Sequence, residues 1–275
     1  VAFQGELGAY SEEAIIQHFG DKAQPVPRPY LKDVFDTVET GGADLGLVPA
    51  ENSLEGSIVR TFDLLLERGL KVQGETVLRV IHCLIANKGV TLRDLKRAYS
   101  HPQALGQSRA YLEDHGLEPV SWYDTAGSVK MIREKGLRDA AGIASARAAE
   151  VYDMAVLARG LETDKENYTR FFVIGDGDVG PTGSDKSTIA YIVDHRPGTL
   201  LESLRAFASR GLNLTKIESR PIPGSPWEYT FFIDIEAHRD ERLMGEALQE
   251  LKESTNFIKI LGSYPRAQRD LVDRK

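Results

Sequence analysis

The chain has 275 residues, of which 41% are hydrophobic and 27% charged, and its formal net charge is −7. This length predicts about two domains with enough apolar material for buried cores, and the acidic balance argues against nucleic-acid binding. Cys83 is the single cysteine, which excludes an intrachain disulfide and a thiolate zinc site. Since no stretch approaches the ~18 apolar residues of a membrane span, we expect a cytoplasmic protein with no membrane partner.

The first part of the chain alternates short apolar runs with helical patterns. Strands are predicted at 1–3, 45–49, 77–86, 98–99 and 140–144. Helices are predicted from Ser11, at 104–115 and after Ser145, with Ser11 and Ser145 as N-caps. This alternation is typical of an α/β domain with a mainly parallel sheet.

A glycine-rich loop at 175–184 is the clearest linker. It contains Gly175, Gly177 and Gly180 at the spacing of a dinucleotide fingerprint, but Pro181 follows where a helix would have to begin, so we reject a nucleotide site. Beyond it, strands are predicted at 187–193, 213–220, 227–236 and 257–264, and helices at 197–209 and 241–253. The order βαββαβ is typical of a ferredoxin-like domain. The charged tail 266–275 is expected to be loose.

Polar clusters follow the predicted strands of the first part. They are Tyr10 with Ser11, Glu51-Asn52-Ser53, Ser100-His101-Pro102-Gln103 with Gln107, and Asp124-Thr125-Ala126-Gly127-Ser128. Thr169, at the start of the apolar run 171–174, is a fifth. Ligands of open α/β sheets bind beyond the carboxyl ends of strands, so we expect these clusters to meet in one crevice. Each cluster alone is also typical of a helix cap or a turn.

The segment NYTRFFVIG, residues 167–175, carries the sharpest signal. Side chains alternate along a strand, which places Thr169 and Phe171 on one face and Arg170 and Phe172 on the other. This Thr-Arg-Phe triplet, together with GELGAYSEEA, VPAENSLEGS, SHPQALGQ and DTAGS in that order, resembles the motifs of prephenate dehydratases. In the last part, PGTLL from Pro197 and ESRP from Glu218 resemble the two phenylalanine-binding motifs of an attached ACT domain. The similarity extends from Val1 to Pro265.

The resemblance implies an α/β fold with a two-lobed catalytic domain like a type-2 periplasmic binding protein, followed by an α+β ferredoxin-like ACT domain. The expected boundaries are a catalytic domain at 1–177, with lobes at 1–78 plus 160–177 and at 79–159, a linker at 178–186 and an ACT domain at 187–265. The implied activity is that of a carbon–oxygen lyase converting prephenate to phenylpyruvate in L-phenylalanine biosynthesis. Feedback inhibition by L-phenylalanine is implied as well, with no cofactor and no metal.

The motifs also imply the site residues. The catalytic set is Thr169, Glu51, Asn52, Ser100 and Gln107. The substrate-binding set is Tyr10, Ser11, Ser53, Gln103, Thr125, Ala126, Ser128, Arg170 and Phe171. Thr169 is the candidate proton donor to the leaving hydroxyl, and Glu51 either shares a proton with it or orients Asn52. Arg170 serves either structure or pyruvyl recognition, and His101 is either a turn residue or a general acid.

The ACT resemblance implies a phenylalanine site at Pro197, Gly198, Thr199, Leu200, Leu201, Asn213, Leu214, Glu218 and Ser219. Edge strands of such domains are usually covered by pairing, so a homodimer or a dimer of dimers is expected.

Two alternatives stay open. Ala9-Tyr10 and the segment from Asp124 to Gly127 are similar to plant arogenate dehydratases, whose substrate has an amine in place of the side-chain ketone. An amino-acid-binding regulatory protein without turnover would share the two-lobed fold. A third hypothesis, an NAD-dependent dehydrogenase, requires a nucleotide-binding motif, and this sequence has no usable one.

Overall fold

The computed structural model describes residues 1–222 and 224–267. They form two compact units. The first consists of Val1–Thr61 and Thr76–Phe171, and the second of Phe62–Glu75 and the described residues from Phe172 onward.

The strands are, in chain order, β1 (Ala2–Gln4), β2 (Val26–Arg28), β3 (Gly46–Asn52), β4 (Gly56–Ser57), β5 (Lys71–Arg79), β6 (Cys83–Ala86), β7 (Arg97–Ser100), β8 (Glu118–Ser121), β9 (Ala140–Ala144), β10 (Ala155–Arg159), β11 (Tyr168–Gly175), β12 (Asp185–Ile192), β13 (Leu214–Ile222), β14 (Ser225–Ile235) and β15 (Phe257–Pro265). The α-helices are α1 (Tyr10–Phe19), α2 (Leu31–Glu39), α3 (Val59–Glu67), α4 (Pro102–Gln107), α5 (Arg109–Asp114), α6 (Thr125–Glu134), α7 (Ala146–Val151), α8 (Thr199–Ala208) and α9 (Arg242–Ser254). None of the helices within the described residues is long and apolar enough to span a bilayer.

The first unit contains two lobes, each built on its own sheet. One sheet has the order β2-β1-β3-β11-β5, with β4 beside β3, and β1 runs parallel to both β2 and β3. Phe3, Leu47 and Phe35 of this lobe are fully buried. Since parallel strands share one carboxyl edge, the residues that follow β1 and β3 emerge on the same side.

The other lobe has a mixed sheet with the order β10-β6-β9-β7-β8. Strand β7 is parallel to β8 and β9, whereas β6 is antiparallel to β9 and β10. Two of its helices have N-caps typical of their residue types: Asp124 accepts a bond from Gly127 N, and Ser145 accepts one from Ala148 N. The caps fix where α6 and α7 begin, and α6 begins beside the site described below.

The loop after β1 ties the two lobes together. Ser145 Oγ donates to Gly8 O at 2.7 Å, and Lys130 Nζ donates to Glu6 at 3.0 Å. Glu12, only 2% exposed, pairs with Arg147 at 3.2 Å. Gly8 adopts φ +87° and packs against the backbone of Ala148. A Cβ at this position would lie 2.6 Å from Ala148 Cα. Glycine is therefore required at this contact.

The second unit has an antiparallel sheet with the order β13-β14-β12-β15, accompanied by the helices α8 and α9. Its core contains Tyr191, Phe207, Ile233, Met244 and Leu251. This is the expected βαββαβ arrangement, and the predicted fold class is confirmed.

The stretch from Phe62 to Glu75 packs within this unit. The Phe62 ring meets Phe232 edge-on at a centroid distance of 5.4 Å. Lys259 Nζ donates to the carbonyls of Leu65, Leu66 and Arg68 at 2.7–3.0 Å. Carbonyls at the end of a helix have no partner within the helix, so this ammonium satisfies the C-terminus of α3.

Several sequence predictions of element boundaries were wrong. The predicted strand 77–86 is two strands, because the hydrogen bonds of the chain change sheet between them: Val80 N donates to Asn167 O, whereas the His82 carbonyl accepts from Gly160 N and Leu161 N. The predicted helix 104–115 is the pair α4 and α5, divided at Ser108.

Two predicted helix starts also need correction. Helix α1 begins at Tyr10 with Ala9, not Ser11, at the N-cap. Helix α8 begins at Thr199, because Gly198 takes a left-handed conformation with φ +94° that ends the preceding segment. In the predicted tail, Arg266 N donates to Ser184 O at 3.0 Å, and residues 268–275 lie outside the described residues.

Candidate active site

A cavity of about 100 Å³ lies in the first unit, between its two lobes. It is lined by Tyr10, Asn52, Val80, His82, His101, Gln103, Ala104, Gln107, Thr125, Asn167 and Thr169. Asn52 ends β3, Thr169 is the second residue of β11, Tyr10 begins α1 and Gln107 ends α4. Strands and helices of both lobes therefore supply the lining.

Asn52 orients the polar groups of this cavity. Its Oδ1 accepts bonds from the backbone N–H of Leu54 and of Glu55, each at 3.1 Å. A backbone amide only donates, so Oδ1 must face these two groups and Nδ2 must face the cavity. Nδ2 donates to Thr169 Oγ1 at 3.1 Å and to Asn167 Oδ1 at 2.8 Å.

The orientation set by Asn52 passes along the network. Because Asn167 Oδ1 is an acceptor, Asn167 Nδ2 donates to Gln107 Oε1, at 3.0 Å. His82 Nε2 lies 2.8 Å from the same oxygen and therefore carries a proton. His82 Nδ1 is left as an acceptor for the Tyr10 hydroxyl at 2.7 Å. Gln107 Oε1 thus accepts two hydrogen bonds that arrive from opposite ends of the network.

Burial keeps the titratable members of this network uncharged. It lowers the pKa of His82 below its ordinary value of 6.5, and it raises the pKa of Tyr10 well above its ordinary value of 10.0. A neutral imidazole with its proton on Nε2 and a protonated phenol fit the hydrogen bonds of both residues. Electrostatics and geometry therefore agree at both residues.

Two groups in the cavity keep hydrogen-bonding capacity for a ligand. Thr169 Oγ1 accepts from Asn52, and its own proton is committed to no acceptor among the described residues. Gln107 Nε2 is buried and lacks a partner within the same part of the chain. A buried unsatisfied donor costs free energy, so a ligand atom that accepts from Gln107 is favoured.

Two family models match this chain. One, described as prephenate dehydratase, matches residues 1–178, and one described as ACT domain matches residues 187–253. The chain belongs to the prephenate dehydratase family. Its members are lyases, which confirms the predicted enzyme class.

Relatives and solved structures agree with the family assignment. The bifunctional chorismate mutase/prephenate dehydratase of Aquifex aeolicus is 41% identical, over 97% of this chain and 74% of that protein. The arogenate dehydratase/prephenate dehydratase 2 of Arabidopsis thaliana is 40% identical, over 96% and 72%.

Among solved structures, the prephenate dehydratase of Arthrobacter aurescens in complex with L-Phe has a TM-score of 0.88 at 31% identity, covering 98% of this chain and 91% of that one. A protein described as a novel type of quorum quenching acylase, GqqA, has a TM-score of 0.90 at 36% identity, covering 96% and 97%.

The structure brings some of the residues predicted from family motifs to the cavity. These are Tyr10, Asn52, Gln103, Gln107, Thr125 and Thr169. Others lie outside the lining: Ser11, Glu51, Ser53, Ser100, Ala126, Ser128, Arg170 and Phe171.

Hydrogen bonds explain why several of the predicted hydroxyls lie elsewhere. Ser100 is fully buried and donates to Ile143 O at 2.6 Å, and Ser128 donates to Thr125 O at 2.6 Å. Ser53 Oγ donates to Glu166 O at 2.7 Å, so it holds the loop after β3 rather than a ligand. These contacts are typical of structural hydroxyls.

Glu51 and Arg170 form an ion pair, with Arg170 Nη1 3.6 Å from Glu51 Oε2. The pair places the guanidinium beside a carboxylate of its own chain and outside the cavity lining. Phe171 is 2% exposed. Of the two roles left open for Arg170, the geometry favours the structural one.

His82 and Asn167 line the cavity but were not predicted as site residues. Asn167 belongs to the motif that carried the resemblance. It lies two residues before Thr169, and this spacing was an available signal. His82 lies in the apolar run from Val80 to Ala86, where a histidine reads as an ordinary core residue. The interruption of that run by a polar side chain was the only sign of a site residue.

His101 caps α4, its Nδ1 accepting from Gln103 N at 3.3 Å.

The second unit has a cavity of its own, of about 240 Å³. It is lined by Val193, Asp194, His195, Arg196, Gly198, Thr199, Leu200, Leu201, Trp227, Glu228, Tyr229 and Phe231. The predicted phenylalanine-binding residues from Gly198 to Leu201 are there, whereas Pro197, Asn213, Leu214, Glu218 and Ser219 are not in this lining. Asn213 Nδ2 donates to Glu236 at 2.7 Å, and Glu218 pairs with Lys216 at 3.0 Å.

Proposed function

We propose that this protein is a prephenate dehydratase that forms phenylpyruvate, carbon dioxide and water from prephenate, under feedback inhibition by L-phenylalanine. The observation that carries the proposal is the Thr169 hydroxyl, which lines the cavity, accepts from Asn52 and has no acceptor for its own proton among the described residues. Family membership supplies the reaction, and this geometry supplies a proton donor for its most difficult step.

Prephenate must lose a hydroxyl group, which is a poor leaving group. Thr169 donates its proton to that oxygen as the ring C–O bond breaks, and the oxygen departs as water. The C–C bond to the ring carboxylate breaks as well. Its electron pair aromatises the ring, and the carboxylate departs as carbon dioxide. The threonine alkoxide then regains a proton from solvent. Asn52 Nδ2 lies 3.1 Å from Oγ1 and stabilises the negative charge that develops there.

The cavity is suited to a carboxylate that must leave. Its described lining contains no lysine and no arginine. A close guanidinium would stabilise the carboxylate anion in the ground state more than in the transition state, and so would slow decarboxylation. Gln107 Nε2 offers a neutral donor instead. Glu51, 3.6 Å from Arg170, is better placed to orient the end of β3 than to transfer a proton.

Arogenate is the second candidate substrate. The relatives from Arabidopsis thaliana and Petunia hybrida that are named arogenate dehydratases are 40% and 41% identical to this chain, as similar as the Aquifex aeolicus enzyme. Arogenate has the same ring, carboxylate and leaving hydroxyl, so the proposed chemistry applies to it unchanged. Measuring turnover of prephenate and of arogenate in parallel decides which of them is the preferred substrate.

L-Phenylalanine is the proposed ligand of the cavity in the second unit. The match to an ACT domain and the similarity to a structure solved with L-Phe support this assignment. Inhibition requires only that the ligand bind one state of the protein more tightly than another. The predicted residues Asn213, Leu214, Glu218 and Ser219 stay candidates for an interface site, because β13 is an edge strand and Ile217 on it is 51% exposed. We propose a homodimer or a dimer of dimers that covers this edge.

The reducing cytoplasm is the proposed location, since Cys83 is buried and forms no disulfide.

Thr169→Ala tests the proposed function, with Thr169→Ser as the matched control. We expect kcat for prephenate to fall by about 10²–10⁴ in the alanine variant, the range for loss of a general acid, and to survive largely in the serine variant. Ligand binding by calorimetry should persist in both. Undiminished turnover in the alanine variant would refute the assigned role, and binding without turnover in the wild type would indicate a regulatory binding protein.

The similarity to GqqA raises amide hydrolysis as a contrast. An acylase needs a nucleophile within hydrogen-bonding reach of a base. In the described residues the hydrogen-bond partner of Thr169 Oγ1 is the amide of Asn52, which is not a base. We therefore expect no release of free amine from an N-acylated substrate under conditions in which prephenate turns over.

A further inference from the structure

His82 is held in place by hydrogen bonds of its main chain as well as of its ring. Only 2% of it is exposed. Its backbone N–H donates to Glu162 Oε2 at 2.8 Å, and its carbonyl accepts from Gly160 N at 2.8 Å and from Leu161 N at 3.2 Å. Neither β5 nor β6 includes this residue, so these bonds to the segment 160–162, rather than a strand, position its ring.

Within the described residues, each ring nitrogen has one hydrogen-bond partner. Nδ1 accepts from Tyr10, and Nε2 donates to Gln107 Oε1. The carboxamide of Gln107 has two orientations, which differ by exchange of its oxygen and nitrogen. Asn167 Nδ2 and His82 Nε2 both donate to Oε1, so the two donors together hold the orientation that leaves Gln107 Nε2 as the donor without a partner among the described residues.

We propose that His82 is a positioning residue of the active site, which holds the Gln107 carboxamide so that Nε2 donates to a carboxylate of the substrate. The inference rests on the proposed function for the identity of that carboxylate. His82 acts through Gln107 and takes no part in proton transfer to the leaving group. The tautomer of the neutral ring follows from Gln107 Oε1, which requires a proton on Nε2 and leaves Nδ1 to accept from Tyr10.

The charge of His82 has a separate effect on the reaction. The groups that surround it are Tyr10 from α1, Glu162 from the segment ahead of β11, and His101 across the cavity at the start of α4. Protonation would place a positive charge in a cavity whose described lining is otherwise without lysine and arginine. That charge would hold the substrate more tightly and oppose loss of its carboxylate as carbon dioxide. Acidification below pH 6.5 should therefore lower KM and kcat together in the wild type.

A matched pair of variants separates the two nitrogens. Glutamine places an amide N–H near the position of Nε2, so His82→Gln keeps the donor to Gln107. Asparagine places its amide near the position of Nδ1, so His82→Asn keeps only the acceptor for Tyr10. We expect kcat/KM of His82→Gln within about threefold of the wild type, and a KM about tenfold higher for His82→Asn, as for loss of one charge-assisted hydrogen bond. Both variants should lose the coupled acidic fall of KM and kcat.

Equal losses in the two variants, or a larger loss in His82→Gln, would overturn the proposal, because a merely structural histidine gives no reason for the nitrogens to differ. Circular dichroism of each variant checks that it folds.

A second measurement is independent of turnover. Nitrogen-15 NMR distinguishes an imidazole protonated on Nε2 from one protonated on Nδ1, and the spectrum of His82→Gln assigns the signal among the six histidines. A neutral Nε2–H form at pH 7 is expected. An Nδ1–H form or a charged ring at that pH would overturn the proposal. If the wild type turned over neither prephenate nor arogenate, the proposed function would fail, and the tautomer would still decide whether His82 orients Gln107.

Discussion

Replacing Asn52 by aspartate reverses the polarity of the residue that orients the active site. Asn52→Asp preserves the size of the side chain and the two bonds accepted from Leu54 N and Glu55 N. The amide nitrogen becomes an oxygen. It then faces three oxygens, those of Asn167 Oδ1, the Tyr168 carbonyl and Thr169 Oγ1, at 2.8–3.1 Å.

The magnitude follows from the bonds lost. Nδ2 has two hydrogens to share among these acceptors, so two neutral hydrogen bonds at about 1 kcal/mol each give about 2 kcal/mol of lost unfolding free energy at neutral pH. The new carboxyl, 5% exposed at the position of Asn52, should have a raised pKa, because burial and facing oxygens both disfavour its charge. A group whose pKa is raised on folding contributes stability below its unfolded pKa of about 3.9 and loses it as the pH rises through the folded pKa. The deficit relative to the wild type should therefore shrink on acidification.

Denaturant unfolding at pH 5 and pH 7.5, with Asn52→Ala as the control, measures this effect. The alanine variant should have a deficit that does not depend on pH, since it introduces no titratable group. Activity gives the second readout: the introduced carboxylate accepts the Thr169 proton that should go to the substrate, so kcat should fall by about 10²–10⁴. A deficit in Asn52→Asp that is the same at both pH values, or a kcat above a tenth of the wild-type value, would refute the assigned orientation of Asn52.

Three further outcomes are expected. Lys259→Met leaves three carbonyls at the end of α3 without their donor and should lower the unfolding free energy by about 2 kcal/mol, measured by denaturant titration. Gly262→Ala places a Cβ 2.1 Å from the Val72 carbonyl oxygen, so little folded protein should be recovered on expression. Because burial lowers the pKa of His82, the unfolded chain binds a proton first on acidification, and the stability advantage of the wild type over His82→Gln should decline below pH 6.5.

The first two outcomes have a control within the chain. Lys252→Met removes an exposed lysine of α9 and should leave stability within about 0.5 kcal/mol. Gly245→Ala, in the same helix, has no atom closer than 3.9 Å to the new Cβ, so it should be neutral or stabilising. If a variant and its control had the same unfolding free energy or the same recovery of folded protein, the role assigned to the corresponding contact would be wrong.

The sequence was sufficient where local pattern and chemistry coincide. Ser145 and Asp124 are helix caps as their residue types predict, and the antiparallel domain follows from its alternating strands. Thr169 and Asn52 were predicted because their motifs were recognisable, and they do meet, although 117 positions separate them. Whether they act as proposed is a question for the variants above.

Predictions failed where tertiary contacts override local pattern. The run from Val77 to Ala86 is mostly apolar, and neither Arg79 nor His82 within it shows that the hydrogen bonds of the chain pass from one sheet to the other at this point. Ser100 belongs to a polar cluster at a strand end, yet its hydroxyl turns to Ile143 O inside the sheet. Which way a small hydroxyl points depends on a carbonyl 43 residues away, and no periodicity records that.

The convergence of two hydrogen bonds on Gln107 Oε1 has a consequence for how this site could be altered. An amide whose oxygen accepts two bonds is polarised, and its N–H becomes a stronger donor. The hydrogen bonds from Asn167 and from His82 thus strengthen the same Gln107 N–H donor. Loss of either bond weakens this donor, and loss of both should reduce substrate binding by less than the sum of the two single losses. Transplanting the threonine motif alone into another two-lobed protein would carry over the acid without its recognition element. The smallest portable unit is the whole chain of partners, back to the two main-chain amides after Asn52 from which every orientation derives.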